Sequence, residues 1–385
     1  MNTVLFFHTS RREAWRKELD GAYRFARTRG WRLQTVDPTP MPPAIPELIS
    51  FWNPVGCIAE CAGETSDYFD VDAFKGVPVV FIGRDLRSLP DSASSIMSAS
   101  RGVGELAARE FLMQGLTSFG FLASAGNHFW SLDREKEFVH VVRLNGFQCS
   151  TFGRTERFRS ESARTNALMH WLKAVPKPCG VMAENDYAAV EAIDLARKMR
   201  IKVPDKMSVI GVDNDTDLCE NAHPKLSSIL LDFEHVGYHA LEMLDAIMRN
   251  PKSPPIHETY SALGLVRRGS TPAGIGVPPR ILDALAFIRD KACEGISAAD
   301  VSRRFHGSRR LAEMEFRRAT GRSILEEILR VRFEKVEILL HNHSRQLGAI
   351  AQQCGWKTEH ALRSAFLKRY GMPMRAWRTA PAPLR

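Results

Sequence analysis

The sequence predicts an α/β portion, a parallel sheet with helices on both faces, followed by an all-α portion that holds two tandem helix-turn-helix units. Three observations carry this. Through the first 270 residues short β-rich runs alternate with helical periodicity, the rhythm of βαβ units. Past a stretch rich in Gly, Pro and Ser, everything reads helical. The positive charge is also confined to that helical end: Val277 to Arg385 holds 21 Lys/Arg against 11 Asp/Glu, whereas the first 276 residues hold 32 against 33. Charge segregated in this way is expected where one domain meets a polyanion and the rest does not.

The elements follow in order. "NTVLFF" is the first strand, and "REAWRKELDGAYRFARTRG" is an amphipathic helix ending at Gly30, a glycine placed to cap it. "WRLQTV", "GCIAEC", "VPVVFIG", "SFGFLAS", "GFQCSTF", "CGVMAE" and "MSVIGVD" are further strands, most followed by a helical segment. "SALGLVRRGSTPAGIGVPPR" breaks the rhythm and marks a linker over 272–279, dividing residues 1–271 from residues 280–385.

Several classes are excluded. Hydrophobic content of 44% and charged content of 25% are those of a globular chain with a core. No strand is followed by G-x-G-x-x-G or a phosphate loop, so no nucleotide cofactor is expected. There is no G-x-S-x-G or metal-ligand spacing, which argues against an enzyme and against a metal. Seven scattered cysteines without a C-x-x-C pair fit reduced thiols, and the N-terminus lacks a signal-peptide run, so the expectation is a cytoplasmic protein that does not enter a membrane.

In the tail, "ISAADVSRRFHGSRRLAEMEFRRATG" and "LGAIAQQCGWKTEHALRSAFLKRYG" share one pattern. Each has a short helix, a turn, a hydroxyl residue placed to N-cap (Ser308, Thr358), then a helix with Phe eight residues on (Phe316, Phe366) and a final Gly (Gly321, Gly371). "SILEEILRVRFEKVEILL" between them predicts a rigid connecting helix. Two readers on one rod can address major-groove segments about 34 Å apart.

These residues resemble the DNA-binding domain of the AraC family over roughly Ile281 to Arg378. The second unit follows that pattern closely. The first departs from it: the turn glycine expected at His306 stands at Gly307, the leucine expected at 312 at Leu311, and at the chain's end Pro373 comes one place early. The resemblance directs Arg309, Arg310 and Glu313 of the first unit, and Glu359, His360, Arg363 and Ser364 of the second, toward duplex DNA. Arg can bond guanine bidentately, and His or Ser can reach base edges or phosphates. Arg317, Arg318, Lys368 and Arg369 are phosphate contacts or solvated. Leu339, Leu340, Leu362 and Phe366 fit the apolar stripe.

The larger part carries a second resemblance. "IKVPDKMSVIGVDNDTDLCENAHPKLSSI", "GVMAENDYAAVEAIDLARKMRI" and "VVFIGRD" resemble LacI-type regulators and periplasmic sugar-binding proteins over residues 2–271. The fold this implies is a two-lobed, periplasmic-binding-protein-like sensor with doubly wound parallel sheets closing on a ligand at the strand ends. Sugar recognition uses carboxylates, Arg and an aromatic face. The matching positions are Arg16, Trp130, Arg134, Asp186 and Asp213, with Trp15 a second stacker. Asp186 serves equally as a helix cap.

A sensor of this type ahead of an AraC-type reader, with no reading segment before "NTVLFF", resembles the xylose-regulator type of that family. The resemblance implies a transcriptional regulator of carbohydrate-utilisation genes, an activator, controlled by a sugar such as xylose, with a pentose favoured. It implies a homodimer on operator DNA, with RNA polymerase a further partner. Two alternatives stay open. One is a regulator whose cleft binds no sugar, because LacI-type chains commonly have Asp where Ser98 or Ala99 stands. The other is a sugar-modifying enzyme using Asp186, Asp213 and His128.

Overall fold

The protein is described from a computed structural model. The structure describes residues 2–8, 12–37, 45–61, 69–84, 88–90, 92–123, 128–153, 158–272, 279–305, 307–320, 322–341, 346–370 and 372–379. The heart of the expected linker (273–278), His306, Gly321 and Gly371 lie outside them, as does the side chain of Arg318. The chain divides into two compact units, Met1–Gly274 and Ile275–Arg385.

The first unit contains two six-stranded sheets. One is built from β1 (Thr3–Phe7), β2 (Arg32–Val36), β3 (Gly56–Glu60), β4 (Val79–Ile82), β5 (Ser94–Ser98) and a late strand, β11 (His257–Tyr260), in the order β2-β1-β3-β4-β5-β11, every pair parallel. The other holds β6 (Phe119–Leu122), β7 (Cys149–Phe152), β8 (Cys179–Ala183), β9 (Met207–Val212), β10 (Ser227–Leu231) and β12 (Ala262–Val266), in the order β7-β6-β8-β9-β10-β12. Its last pair is antiparallel. The central strands are continuous apolar runs because helices cover both faces: β3, β8 and β9 are buried at every residue.

Helices α1 (Glu13–Arg29), α2 (Ile45–Trp52) and α8 (Phe233–Arg249) dress the first lobe. The helices α3 (Ser100–Met113), α4 (Phe129–Leu144), α5 (Glu161–Ala174), α6 (Asp186–Lys198) and α7 (Thr216–Asn221) dress the second. The chain passes between lobes three times, at Ala99, Asp232 and Ser261. Gly30 ends α1 at φ +62, as its position predicts. α1 and α8 cross with their backbones touching: a Cβ on Gly21 would lie 1.8 Å from the Glu234 carbonyl oxygen, and one on Gly237 1.6 Å from that of Glu18. Only glycine permits that approach.

The boundary of the first unit departs from the composition in one respect. "SALGLV", which opens the Gly/Pro/Ser-rich stretch, forms β12, whose Gly264 sits opposite Leu230 at a register shift. The residues after it are also part of the lobe. Ser270 Oγ donates to the Val209 carbonyl at 2.7 Å and accepts from the Ser227 amide at 2.8 Å. Ser and Thr belong to a strand edge here because the hydroxyls of Ser227, Ser270 and Thr271 complete the sheet's hydrogen bonding. The strands β5, β11 and β12 give little signal in the sequence for the same reason. In β5, Ser94 and Ser95 are buried but partnered by the Ile256 amide and His257 Nδ1.

The second unit is helical: α9 (Pro279–Lys291), α10 (Ala298–Ser302), α11 (Arg309–Thr320), α12 (Ile324–His341), α13 (Leu347–Gln353), α14 (Glu359–Tyr370) and α15 (Met374–Thr379). It has two cores, one around Phe316 and Ile328, the other around Phe333, Leu362 and Phe366. Leu339, Leu340, Leu362 and Phe366 are buried, as their stripe predicts. Among the described residues no cysteine is in a disulfide. Among the described residues no helix is long and apolar enough to cross a membrane, and no group of His, Cys, Asp or Glu is arranged to hold a metal.

Candidate effector cleft and DNA-reading helices

In each sheet the strand order reverses, beside β1 in one lobe and β6 in the other, and a doubly wound sheet offers its crevice beyond the carboxyl ends at such a point. Three buried carboxylates gather there, joined by the part-exposed Asp213. Glu60 ends β3, Glu184 follows β8, Asp213 follows β9, and Glu18 faces in from α1. The centre is an Arg134–Asp213 pair. Arg134, only 4% exposed, donates to the Glu184 carbonyl oxygen and lies 3.6 Å from Asp213 Oδ1. Its guanidinium sits 4.8 Å from the centre of the Trp130 ring. Trp130 in turn stacks on His128 at 5.3 Å.

Asp213 is held at φ +103, a left-handed backbone that non-glycine residues adopt at a cost of about 1–3 kcal/mol. Asp186 explains how the turn is held. Ser228 Oγ donates to Asp186 Oδ1 at 2.5 Å and accepts the Asn214 amide at 3.0 Å, and the Asp215 amide donates to Asp186 Oδ2 at 2.7 Å. Burial pushes the Asp213 carboxyl up to about 6. The positive charges of Arg134 and Arg12 oppose that shift, while Asp215 and Glu184 reinforce it.

Two of the expected cleft residues are placed differently. Asp186 is 1% exposed with both oxygens engaged inside its lobe, so it is a support beneath the Asp213 turn and not a contact surface. Its neighbour Asn185, not Asp186, caps α6 through the Ala188 amide at 3.0 Å. Arg16 is half-exposed and lies 3.9 Å from Asp217 of the other lobe. It joins a set at the mouth of the crevice: Glu13 accepts from the Thr216 amide and hydroxyl, and Arg12 stands 4.6 Å from the centre of the Tyr187 ring. Sequence reasoning missed Glu18. A signal exists, since Glu18 occupies the buried stripe of α1 with Ala22 and Phe25.

In the second unit the reading helices are equivalent from the cap onward. Ser308 Oγ accepts the Leu311 amide at 3.3 Å and Thr358 Oγ1 accepts the Ala361 amide at 3.1 Å. Buried Ala312 and Phe316 correspond to buried Leu362 and Phe366, each 50 positions apart. The displaced leucine therefore leaves the register intact: Ala312 fills the inward slot and Leu311 is exposed. Before the turn the spacing is 49, with Val301 answering Ile350 and Phe305 answering Cys354, so the first turn is one residue shorter.

Arg309, Arg310, His360, Arg363 and Ser364 are exposed on these helices. Glu359 pairs with Arg363 one turn on. Glu313 turns instead to the backbone of the next helix, where its Oε1 accepts the Ile324 amide at 3.2 Å and caps α12. The same 50-position spacing puts Met314, 60% exposed and not named by the resemblance in the first unit, where Ser364 stands in the second. Apolar side chains at such positions meet thymine methyl groups.

Comparison with known proteins agrees with this two-part construction. Residues 108–271 match the periplasmic binding protein-like domain, and residues 301–380 match a helix-turn-helix domain. The xylose operon regulatory protein of Escherichia coli is 26% identical over 302 residues, covering 78% of this chain and 74% of the relative. The chain is a homologue of the xylose operon regulators. The Haemophilus influenzae member of that group is 24% identical over 277 residues, covering 71% of this chain and 72% of its own. A solved xylose-binding transcription activator, XylR, superposes with a TM-score of 0.60 at 21% identity, covering 98% of this chain and 97% of that one. The regulator CelR in complex with cellobiose covers 70% of this chain and 84% of its own, with a TM-score of 0.57 at 18% identity. The chain thus joins a periplasmic binding protein-like domain to a helix-turn-helix domain, and the solved likenesses carry the fold.

Proposed function

We propose that this protein is a sugar-responsive, DNA-binding transcription regulator, an activator of carbohydrate-utilisation genes whose effector is a pentose such as xylose. The observation that carries the reading is the strained Asp213 facing buried Arg134 at the strand ends. A carboxylate and a guanidinium so placed accept from and donate to sugar hydroxyls with charge-assisted bonds. Trp130 offers the apolar face that a sugar's C–H side requires. The exposed Arg309 and Arg310 of α11, with His360, Arg363 and Ser364 of α14, read the operator, and Glu359 sets the reach of Arg363. A sugar that binds one lobe arrangement better than another shifts that equilibrium, and the shift reaches the reading helices of a homodimer working with RNA polymerase in the cytoplasm. A thermal-shift screen of the full chain against pentoses and hexoses, followed by DNA binding with and without the best sugar, tests the reading. No stabilisation by any sugar would overturn the sensor half, and no DNA binding the other.

A further inference from the structure

Helix α12 carries both halves of the second unit, yet each half packs its own core upon it. Ile324 and Ile328 belong to the first core, and Phe333, Val336, Leu339 and Leu340 to the second. Apolar contact has no preferred direction, so a shared rod alone lets each half rock about its own patch. Directional contacts must fix the angle between the halves, and Arg332, on α12 between Ile328 and Phe333, makes three. Its Nε donates to the Ala292 carbonyl at 2.7 Å and its Nη2 to the Ile296 carbonyl at 2.8 Å. These carbonyls bracket the chain reversal between α9 and α10, and Ile296 directly precedes Ser297, whose capping box starts α10. On the other side the guanidinium lies 5.7 Å from the centre of the Trp356 ring. Trp356 belongs to the turn between α13 and α14, two residues ahead of the Thr358 cap. Gly355 in that turn rests against the Ala292 and Cys293 carbonyls with no room for a Cβ. The thiols of Cys293 and Cys354, one from each half, are both within electrostatic reach of the same guanidinium.

We propose that Arg332 is a positioning residue for DNA recognition, locking the angle between the two reading helices so that α11 and α14 engage DNA as one rigid body. The inference rests on reading α11 and α14 as paired DNA readers, and it adds a residue that acts through them. The residue type fits the task. A planar guanidinium bonds two carbonyls at once through its fork and offers a flat face to an indole, whereas a lysine ammonium is a single point charge. Bonds from a charged donor are also the strong ones, which suits a joint that must not slip. The consequence is a spacing rule. Two readers at a fixed angle meet both their segments only when these lie one helical turn apart, about 34 Å. One added base pair moves the second segment by about 3.4 Å and turns it by about 35°, so a locked pair loses one reader's base contacts. A pair free to rock recovers them.

The test uses the full chain and a duplex that wild type selects from a pool randomised over about 20 base pairs, two helical turns. Base substitution marks the two contacted segments, and copies of the duplex then carry one base pair inserted or removed between them. Wild type should lose about tenfold or more in affinity on either copy, the size of a lost base contact. Arg332→Met keeps an aliphatic stem against Trp356 and removes the donors. It should bind the original duplex less tightly, and the penalty for altered spacing should disappear. Its salt dependence should stay that of the wild type, because the phosphate contacts remain. Arg332→Lys can hold one carbonyl and should fall between the two. A Met variant that keeps the wild-type penalty, weakening every duplex by one factor, overturns the assignment. If that variant fails to fold, Arg332→Lys decides, and a full wild-type penalty there overturns it equally. A wild type indifferent to spacing also overturns it and leaves DNA reading standing. A wild type that selects no duplex overturns the DNA-reading half of the proposed function and this proposal with it.

Discussion

Arg268 Nη1 donates a 2.9 Å hydrogen bond to Asn214 Oδ1, joining the turn after Asp213 to the segment that leads out of the sensor unit. The same guanidinium holds Glu220 and the Leu226 carbonyl oxygen. Any change in the Asp213 turn on binding is therefore felt by Arg268, six residues before the first unit ends at Gly274. Arg268→Ala should keep sugar affinity within about threefold but lose most of the sugar-dependent change in DNA binding, a coupling of about 1–3 kcal/mol. DNA titrations with and without saturating sugar measure it. A variant that responds like the wild type would remove Arg268 from the coupling.

At Asp213, binding and stability should pull in opposite directions. The residue carries left-handed strain at φ +103 and a carboxyl disfavoured by burial. Asp213→Gly relieves both, so the sugar-free protein should gain about 1 kcal/mol or more. It should also lose sugar binding, because each bond to a charged group contributes about 1.5–3 kcal/mol. Thermal melts paired with calorimetry check the two effects, and an unchanged affinity would place the effector elsewhere.

The Asp213 carboxyl also sets a pH window. Its value is raised from 3.8 in the unfolded chain to about 6 in the fold, so the sugar-free fold holds this proton more tightly than the unfolded chain does. This group's contribution to stability is therefore fully present below about pH 4 and is lost as pH rises through about 6. A sugar that hydrogen-bonds the carboxylate favours the ionised form. Affinity should thus rise as pH climbs toward about 6 and level off above it, approaching tenfold per unit on the acid side. The facing groups are Arg134, Arg12, Asp215 and Glu184, and binding isotherms from about pH 5 to 8 on wild type and Asp213→Asn isolate the carboxyl.

The sequence revealed the strands that are mostly apolar on both sides, such as "GCIAEC" and "MSVIGVD", because burial of both faces leaves room for few polar residues, Glu60 and Ser208 being the buried exceptions. It hid β5 and β12, where buried serines and a glycine are satisfied by cross-strand partners that only the fold supplies. Among the site residues, Arg134, Trp130 and Asp213 do come together, since strand ends and the first turn of a following helix have a fixed place in a doubly wound sheet. Asp186 and Glu313 show the limit. Each sits where the family resemblance directs a ligand contact, yet a backbone amide in the fold uses the carboxylate first. Glu18 was legible only as a charge on an apolar stripe, and its meaning depends on Glu60 and Asp213, which are distant in sequence.

Gly355 offers a packing test of the second unit. It sits at φ +77, and a Cβ there would lie 2.8 Å from the Ala292 carbonyl oxygen and 3.0 Å from that of Cys293. Arg332 Nε also donates to the Ala292 carbonyl at 2.7 Å, so that turn has no room to give. Gly355→Ala should cost about 1–3 kcal/mol and lower the melting temperature of the helical unit, with DNA affinity falling in parallel. Gly307, at φ +123 with only the Leu311 side chain 3.2 Å away, should be the milder site, and comparing the two variants by thermal melt checks the ranking.

DNA recognition should reside in residues 275–385, and its parts can be separated. The fragment should bind duplex DNA with affinity that falls steeply with salt, because Lys and Arg displace condensed counterions from the phosphates. Within it, Arg363 is exposed at the second turn of α14 and paired with Glu359, while Lys368 lies near the helix's far end. Arg363→Ala should cost about 1–3 kcal/mol on the preferred sequence and little on random duplex, the mark of a base contact. Lys368→Ala should weaken both alike and reduce the salt slope by about one. Glu359→Ala removes a carboxylate from the reading face and frees Arg363 from an exposed pair that contributes only about 0.3–0.5 kcal/mol. Non-specific affinity should therefore rise while discrimination changes by less. Competition titrations at two salt concentrations resolve all three variants. Equal losses on specific and random DNA for Arg363→Ala would reassign Arg363 to the phosphates.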